Sequence, residues 1–300
     1  MRRENENDHH LLATNHSTEH LQKKYFRAAD WQSGGRRHLL FGSFQISPEA
    51  LPSPGERLLL AVHRNKTSDV RRILALRRGS QAPDPNYQDQ NGNSALIVAS
   101  SRGLRAIVSV LLADERVERN IKNMYGYTAL IMAAQKGHAM VTELLLGDTN
   151  VKPNLMSNTG ATALVYAAGC QQNKEGAVEV VRELVKDQRV LLNLADRTGD
   201  SALIVAARTG NNQVVAALLA DGRINPNSTD QNGNTALTIA ALKGHESTLS
   251  LLLADDRVNA IEINSSGQAA LVVEAATRKR KKKSGKKQPK GELLGDSSAT

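Results

Sequence analysis

The sequence predicts an all-α repeat fold: a solenoid of helix-turn-helix units joined by short β-hairpin turns. Three observations carry that expectation. Near copies of one pentapeptide, Gly92-Asn-Ser-Ala-Leu96, Gly126-Tyr-Thr-Ala-Leu130, Gly160-Ala-Thr-Ala-Leu164, Gly199-Asp-Ser-Ala-Leu203 and Gly233-Asn-Thr-Ala-Leu237, recur with a weaker copy at Gly267, their glycines 34, 34, 39, 34 and 34 residues apart. Each copy opens the same pattern of two short apolar helices. Aromatic residues make up only 3% of a chain that is 40% apolar. Its interior therefore rests on Leu, Ile, Val and Ala, which suits thin repeated layers better than one wide core.

The second unit shows the pattern of each. An Asn/Gly turn, Asn123 to Gly126, leads to Thr128, whose hydroxyl suits an N-cap, and then to Ala129-Leu130-Ile131-Met132-Ala133-Ala134. Gly137-His138 breaks this helix, and Val141, Leu144 and Leu145 mark a second at i, i+3, i+4 spacing. Helices of about ten residues are marginal alone, so each depends on its partner and on the adjacent unit.

In chain order, residues 1–50 are polar and predicted to be disordered, apart from a short amphipathic pattern from Ser17 to Trp31 through Leu21, Tyr25 and Ala28. Pro48, Pro52 and Pro54 mark the boundary of a repeat domain spanning 51–277. Leu58 to Leu74 aligns with a unit but lacks its Gly and Ser/Thr signals, as a degenerate capping unit would. Full units follow near 88–121, 122–155, 156–194, 195–228 and 229–262, and a partial last unit runs from Gly267 to Ala276, with Glu274 where the others have Ala. The interval of 39 puts about five extra residues around Cys170 to Glu175, at an inter-helix turn where an insertion projects from the stack. Residues 278–300 form a basic tail, predicted to be disordered.

At these residues the chain resembles the ankyrin repeat family, from about Leu58 to Ala276. The family's Gly turn, Thr-Pro-Leu-His, Ala-Ala pair, Gly-His and Val-Val-x-Leu-Leu-Leu stand here as Gly126, Thr128-Ala-Leu-Ile131, Ala133-Ala134, Gly137-His138 and Val141 to Leu146. They recur as Gly233, Thr235-Ala-Leu-Thr238, Ala240-Ala241, Gly244-His245 and Leu249 to Leu253. Ala replaces the usual Pro, and Ile97, Ile131, Val165, Ile204 or Thr238 replaces the usual His, so the family's Thr-His hydrogen bond is lost, with an expected loss of rigidity. The links carry Asp114-Glu-Arg116, Asp187-Gln-Arg189, Asp221-Gly-Arg223 and Asp255-Asp-Arg257, a column that only Asn150 breaks. It reads as charge compensation at helix ends and surface pairing.

The resemblance implies partner binding on a concave face of hairpin tips and first-helix surfaces. Met124, Tyr125 and Tyr127, in a chain with five tyrosines, are the sharpest candidates, either pointing outward as interface anchors or packing on the next hairpin. Arg197 and Gln231 lie at other tips. Arg102, Gln135, Lys136, Arg208 and Lys243 lie near first-helix ends, where they face the same groove and either select an acidic partner or form a solvated surface.

The net charge of +9 sits in one place. Nine Lys or Arg and no acid occur between Arg278 and Lys290; without them the chain has 30 basic and 30 acidic residues. Arg278, Lys279, Arg280, Lys281, Lys282, Lys283, Lys286 and Lys287 read as a nuclear import signal bound by an import receptor, or as a contact with polyanions. Without interleaved aromatics, any nucleic-acid binding is non-specific and salt-sensitive.

One cysteine, Cys170, excludes an internal disulfide and a multi-thiolate zinc site. His9, His10, His16 and His20 read as a polar tail in preference to a metal site, and no cofactor is expected. Phosphate-loop, His-Glu-x-x-His and Gly-x-Ser-x-Gly patterns are missing. No apolar run approaches the ~18 residues of a membrane span, and residues 1–20 lack the apolar core of a secretory signal. The reading is a monomeric, non-catalytic protein-binding scaffold of the nucleus or cytoplasm. Its rivals are a polyanion binder acting through the tail and a bacterial effector acting on host proteins.

Overall fold

A computed structural model describes residues 52–77, 82–261 and 264–266; residues 1–50 and the basic run lie outside them. Among the described residues there are twelve helices, paired unit by unit. The capping pair is α1 (Pro54–His63) and α2 (Thr67–Leu74). Five further pairs follow: α3 (Ala95–Ser101) and α4 (Arg105–Leu112); α5 (Ala129–Gln135) and α6 (Ala139–Gly147); α7 (Ala163–Ala168) and α8 (Lys174–Lys186); α9 (Ala202–Thr209) and α10 (Asn212–Leu219); α11 (Ala236–Lys243) and α12 (Glu246–Leu253). First helices pack on first helices and second on second, which is the order a solenoid requires.

Each first helix starts where a hydroxyl takes up an unpaired backbone N–H. Ser94, Thr128, Thr162, Ser201 and Thr235 accept from the amides of Ile97, Ile131, Val165, Ile204 and Thr238. The residues that replace the family histidine are all buried, Ile97 at 2% exposure and Ile204 at 0%. Burying such a chain contributes roughly 1.5–3 kcal/mol, against about 1 kcal/mol for a neutral hydrogen bond. Apolar packing thus replaces the missing polar tie in four units, and in the fifth the Thr235 and Thr238 hydroxyls bond at 3.1 Å, so the geometry offers no reason for a looser unit.

The cap carries a start signal that its missing Thr-Ala-Leu conceals. Ser53 and Glu56 form a reciprocal capping box around Pro54, which occupies the first turn of α1. Pro54 therefore belongs to the helix. After α1, Asn65 takes the left-handed conformation (φ 53°) that Gly103, Gly137, Gly210 and Gly244 take in later units.

The insertion in the third unit does not project as a loop. It lengthens α8 to 13 residues, against 8 in α10. The Asn173 side chain caps the new turn by accepting from Gly176 N and donates to the Gly137 carbonyl at 2.9 Å, tying α8 back to the second unit. A Cβ on Gly176 would collide with that carbonyl, so the extra turn is seated where only glycine fits.

Candidate functional site

The hairpins are stitched into one continuous edge. Within four of the five, the residue three before the glycine accepts from backbone amides two and four residues on: Asp89 Oδ1 from Asn91 and Asn93, Asn123 Oδ1 from Tyr125 and Tyr127, Asp196 Oδ1 from Thr198 and Asp200, Asp230 Oδ1 from Asn232 and Asn234; in the third, Ser157 Oγ accepts from Thr159. Between them, Met124 N donates to Asn91 O, Asn158 N to Tyr125 O, Arg197 N to Thr159 O and Gln231 N to Thr198 O, all within 3.0 Å. These bonds hold the tips in register beside the first helices, and together the two make the candidate face.

Its centre lies in the second and third units. Met124, at a tip, is 64% exposed. Tyr125 behind it is half-buried, 6.0 Å from the ring of Tyr127. Tyr127 is 6% exposed and meets Tyr166 of α7 edge-on at 5.3 Å. Of the two orientations open to Tyr127, outward or onto the next hairpin, the ring takes neither: it is buried against a first helix of the next unit, where an edge-to-face pair is favourable. Burial, with bonding to Tyr166, pushes its hydroxyl well above the usual phenol range. Tyr166 gathers hydroxyls: Ser157 Oγ at 3.1 Å, Thr159 Oγ1 at 3.0 Å and Tyr127 Oη at 3.4 Å. Around it the face is small-chained, with Ala161 and Gly169 where the next unit has Asp200 and Arg208.

Two of the cations read as a groove lining go elsewhere. Arg208 forms a two-pronged pair with Asp200, at 2.6 and 2.7 Å, and lies 3.8 Å from Asp230. Burial pushes the Asp200 carboxyl up, partly opposed by Arg208. Arg102 donates to the Val62 and His63 carbonyls and so caps α1. Lys136 is half-buried, its pKa lowered by burial, with Nζ 3.4 Å from Gln172. Gln135 is half-buried, and Gln231 Nε2 donates to Arg197 O. Arg197 and Lys243 are exposed. Arg208 and Arg102 are thus committed within the array, while Lys136, Arg197 and Lys243 are the cations of the face that meet no such carboxylate or carbonyl pair among the described residues.

Two columns that hold the face in place run along the links. In the first, each Arg of the Asp-x-Arg motif grips its own Asp and reaches a last-turn carbonyl of the preceding unit: Arg116 to Leu74, Arg189 to Leu146, Arg223 to Val185 and Arg257 to Leu219. Surface pairing is therefore only half of its role; the motif also joins units. In the second, Asn86, Asn120, Asn154, Asn193 and Asn227 each donate to one carbonyl of the next link and accept from the amide two residues on, as Asn154 does with Arg189 O and Leu191 N.

The first column sets the acid response. Its own arginine holds each of Asp114, Asp187, Asp221 and Asp255 below the usual carboxylate range. At Asp148 burial pushes upward and Arg119 with Asn150 outweighs it. A depressed carboxylate contributes stability above its unfolded pKa of about 3.9 and loses it as pH falls. His63 and His138, both lowered by burial, lose theirs as pH falls below about 6.5. Asp200 acts in the opposite sense. Urea midpoints should therefore fall in two steps, a shallow one below about pH 6.5 and a steep one below about pH 4. A His63→Gln/His138→Asn chain should keep only the second.

Among the described residues no helix is long and apolar enough to cross a membrane, and no cluster of His, Cys, Asp and Glu could hold a metal. In comparisons of sequence, three-copy ankyrin repeats match residues 58–156 and 145–230, and a single ankyrin repeat matches 232–264. The chain belongs to the ankyrin repeat family. No curated protein matches it in sequence. Its ankyrin array is similar to the crystal structure of EF0377, an ankyrin repeat protein, at 24% identity and TM-score 0.56 over 66% of this chain and 97% of that one. It is similar to the ankyrin repeat domain of Bcl-3, a member of the IkappaB protein family, at 21% identity and TM-score 0.63 over 72% and 92%. At these identities the likeness carries the ankyrin fold alone.

Proposed function

We propose that the chain is a non-catalytic interaction scaffold. It binds another protein on the hairpin–helix face centred on Met124, Tyr125 and Tyr166, and the run from Arg278 to Lys287 directs it to a nucleus. The observation that carries this reading is the concentration of three of the chain's five tyrosines around an exposed methionine, on a face where Arg208 is paired and Arg102 is turned to carbonyls. Aromatic anchors in a polar rim are where binding energy gathers. The fitting partner segment is apolar at its centre, where Met124 and the tyrosines lie.

The test is recovery of partners from a nuclear extract. Met124→Ala/Tyr125→Ala leaves the buried Tyr127–Tyr166 pair in place and is expected to weaken capture about 30-fold, the effect of losing about 2 kcal/mol at a hot spot. Equal recovery of every partner would remove this face as the site. Deletion of 278–290 should abolish nuclear accumulation while leaving capture unchanged. A scaffold that merely anchors a polyanion-binding tail behaves otherwise: its main ligand is nucleic acid, and that contact weakens steeply between low and physiological salt.

A further inference from the structure

We propose that the third hairpin receives a carboxylate of the bound partner, held by the hydroxyls of Ser157, Thr159 and Tyr166, the Ala161 amide and the Arg197 guanidinium. This rests on the partner reading and adds the chemistry of the partner. One substitution in the hairpin column sets the third unit apart. Asp89, Asn123, Asp196 and Asp230 each present a side-chain oxygen that accepts from the amides two and four residues on. Ser157 holds that place in the third hairpin, and its hydroxyl takes one of the two amides, Thr159 N, at 3.2 Å.

The backbone around Ser157 is otherwise that of its neighbours. Ser157 N donates to Ala161 O and Gly160 N to Ser157 O, both at 3.0 Å, as Asp196 N does to Asp200 O and Gly199 N to Asp196 O. The Ala161 N–H therefore points where the side-chain oxygen lies in the other four hairpins, and among the described residues it meets no acceptor. Ala161 is 4% exposed, and a buried amide without an acceptor is costly. Three hydroxyls meet beside it: Ser157 Oγ lies 2.8 Å from Thr159 Oγ1 and 3.1 Å from Tyr166 Oη, and Thr159 Oγ1 lies 3.0 Å from Tyr166 Oη. Hydroxyl protons rotate, so this cluster can turn donors toward an entering oxygen.

Charge completes the match. Three of the four acceptors in the other hairpins are aspartates, whereas residues 157 to 161 contain no acid. Arg197 stands next to them: its N donates to Thr159 O at 2.9 Å, and its Cγ lies 3.0 Å from where a Cβ on Gly160 would stand. The exposed guanidinium pairs with no carboxylate among the described residues, because the acids of its own hairpin are bound elsewhere, Asp196 by Thr198 and Asp200 by Arg208. Access is open from the groove. Thr159 is exposed, Tyr166 is half-buried, and Ala161 and Gly169 carry little side chain where the next unit has Asp200 and Arg208. A partner's carboxylate supplies there the oxygen that Asp supplies in other hairpins, and its charge meets a guanidinium. The apolar part of the same segment then lies toward Tyr125 and Met124, one hairpin away.

The test is titration of the full, isotope-labelled chain with N-acetyl-leucine, a carboxylate beside an apolar side chain, and with N-acetyl-leucinamide, followed by NMR at the Ala161 amide. The acid is expected to move that resonance saturably and the amide not to. Arg197→Gln should weaken binding of the acid about tenfold, as loss of one charge-assisted pair does. Ser157→Asp supplies the carboxylate from within: it should raise the urea midpoint, abolish the response to the acid and cut capture of nuclear-extract partners about tenfold. An Ala161 resonance that does not move, an equal response to the amide, or tighter binding of inorganic phosphate overturns the proposal. So does a Ser157→Asp chain that captures partners like its parent while Met124→Ala/Tyr125→Ala does not, a result that leaves the interaction face standing. Capture unchanged in both variants removes the face, and this proposal with it.

Discussion

Gly126→Ala is expected to lower the unfolding free energy by about 3 kcal/mol, which combines the cost of left-handed backbone for an L-residue with that of overpacking. Gly126 has φ +77°, and a Cβ there would lie 2.6 Å from both Asn158 N and Asn158 Oδ1, with Ser157 C at 2.9 Å. These atoms belong to the next hairpin, itself held to Tyr125 O, so the neighbour cannot yield without breaking the edge on which Met124 and Tyr125 are displayed. Urea titration followed by circular dichroism is the measurement, with Gly147→Ala as its control. Nothing lies within 4 Å of that Cβ and its backbone is helical, so the control should be stabilised by about 0.4–1 kcal/mol. A Gly126→Ala chain as stable as its parent would mean that the hairpins are not coupled as described.

Arg119→Ala should cost about 3 kcal/mol, near the lower bound for breaking a buried ion pair. Arg119 pairs with Asp148 at 2.9 Å, their side chains only 11% and 15% exposed, and its Nη2 reaches the Leu112 carbonyl at 2.9 Å. This is the function that Arg116, Arg189, Arg223 and Arg257 perform elsewhere, supplied here from the preceding link because Asn150 has no cation to offer. The alanine chain leaves a largely buried carboxylate with only the Asn150 amide and uncaps a helix end. Asn150→Arg in that background restores the column residue and should recover at least half of the loss. No recovery, measured by the same titration, would show that the Asp-Arg motif is local decoration and does not join units. The effect should also shrink as pH falls below the ordinary carboxylate value of about 3.9 and on through the lower value at which folded Asp148 takes its proton.

The two substitutions mark where the sequence is readable. The glycine ladder, the Ser/Thr caps and the apolar spacing are local, each carried by residues within one turn or one helix, and the helix pairs lie where those signals put them. The Asn86-to-Asn227 ladder has the same spacing as the glycines and is visible in the chain. Its role is not, because an asparagine in a link reads as a turn former until stacking brings the next peptide within reach of its amide. Tyr127 and Arg119 were opaque for the same reason: the ring that buries one is 39 residues away, and the carboxylate that pairs with the other is 29 away.

The Arg278–Lys287 run is fully explicit in sequence and lies outside the described residues, so composition alone speaks for it. By itself the sequence determined the solenoid, its unit and its period, because helix propensity, capping and amphipathic spacing act over a few residues. Only the tertiary structure decided which side chains stay exposed and which are buried or paired. Burial and charge compensation are settled between units, by atoms that are about 30 to 40 residues apart in the chain and within a few ångströms once the repeats stack.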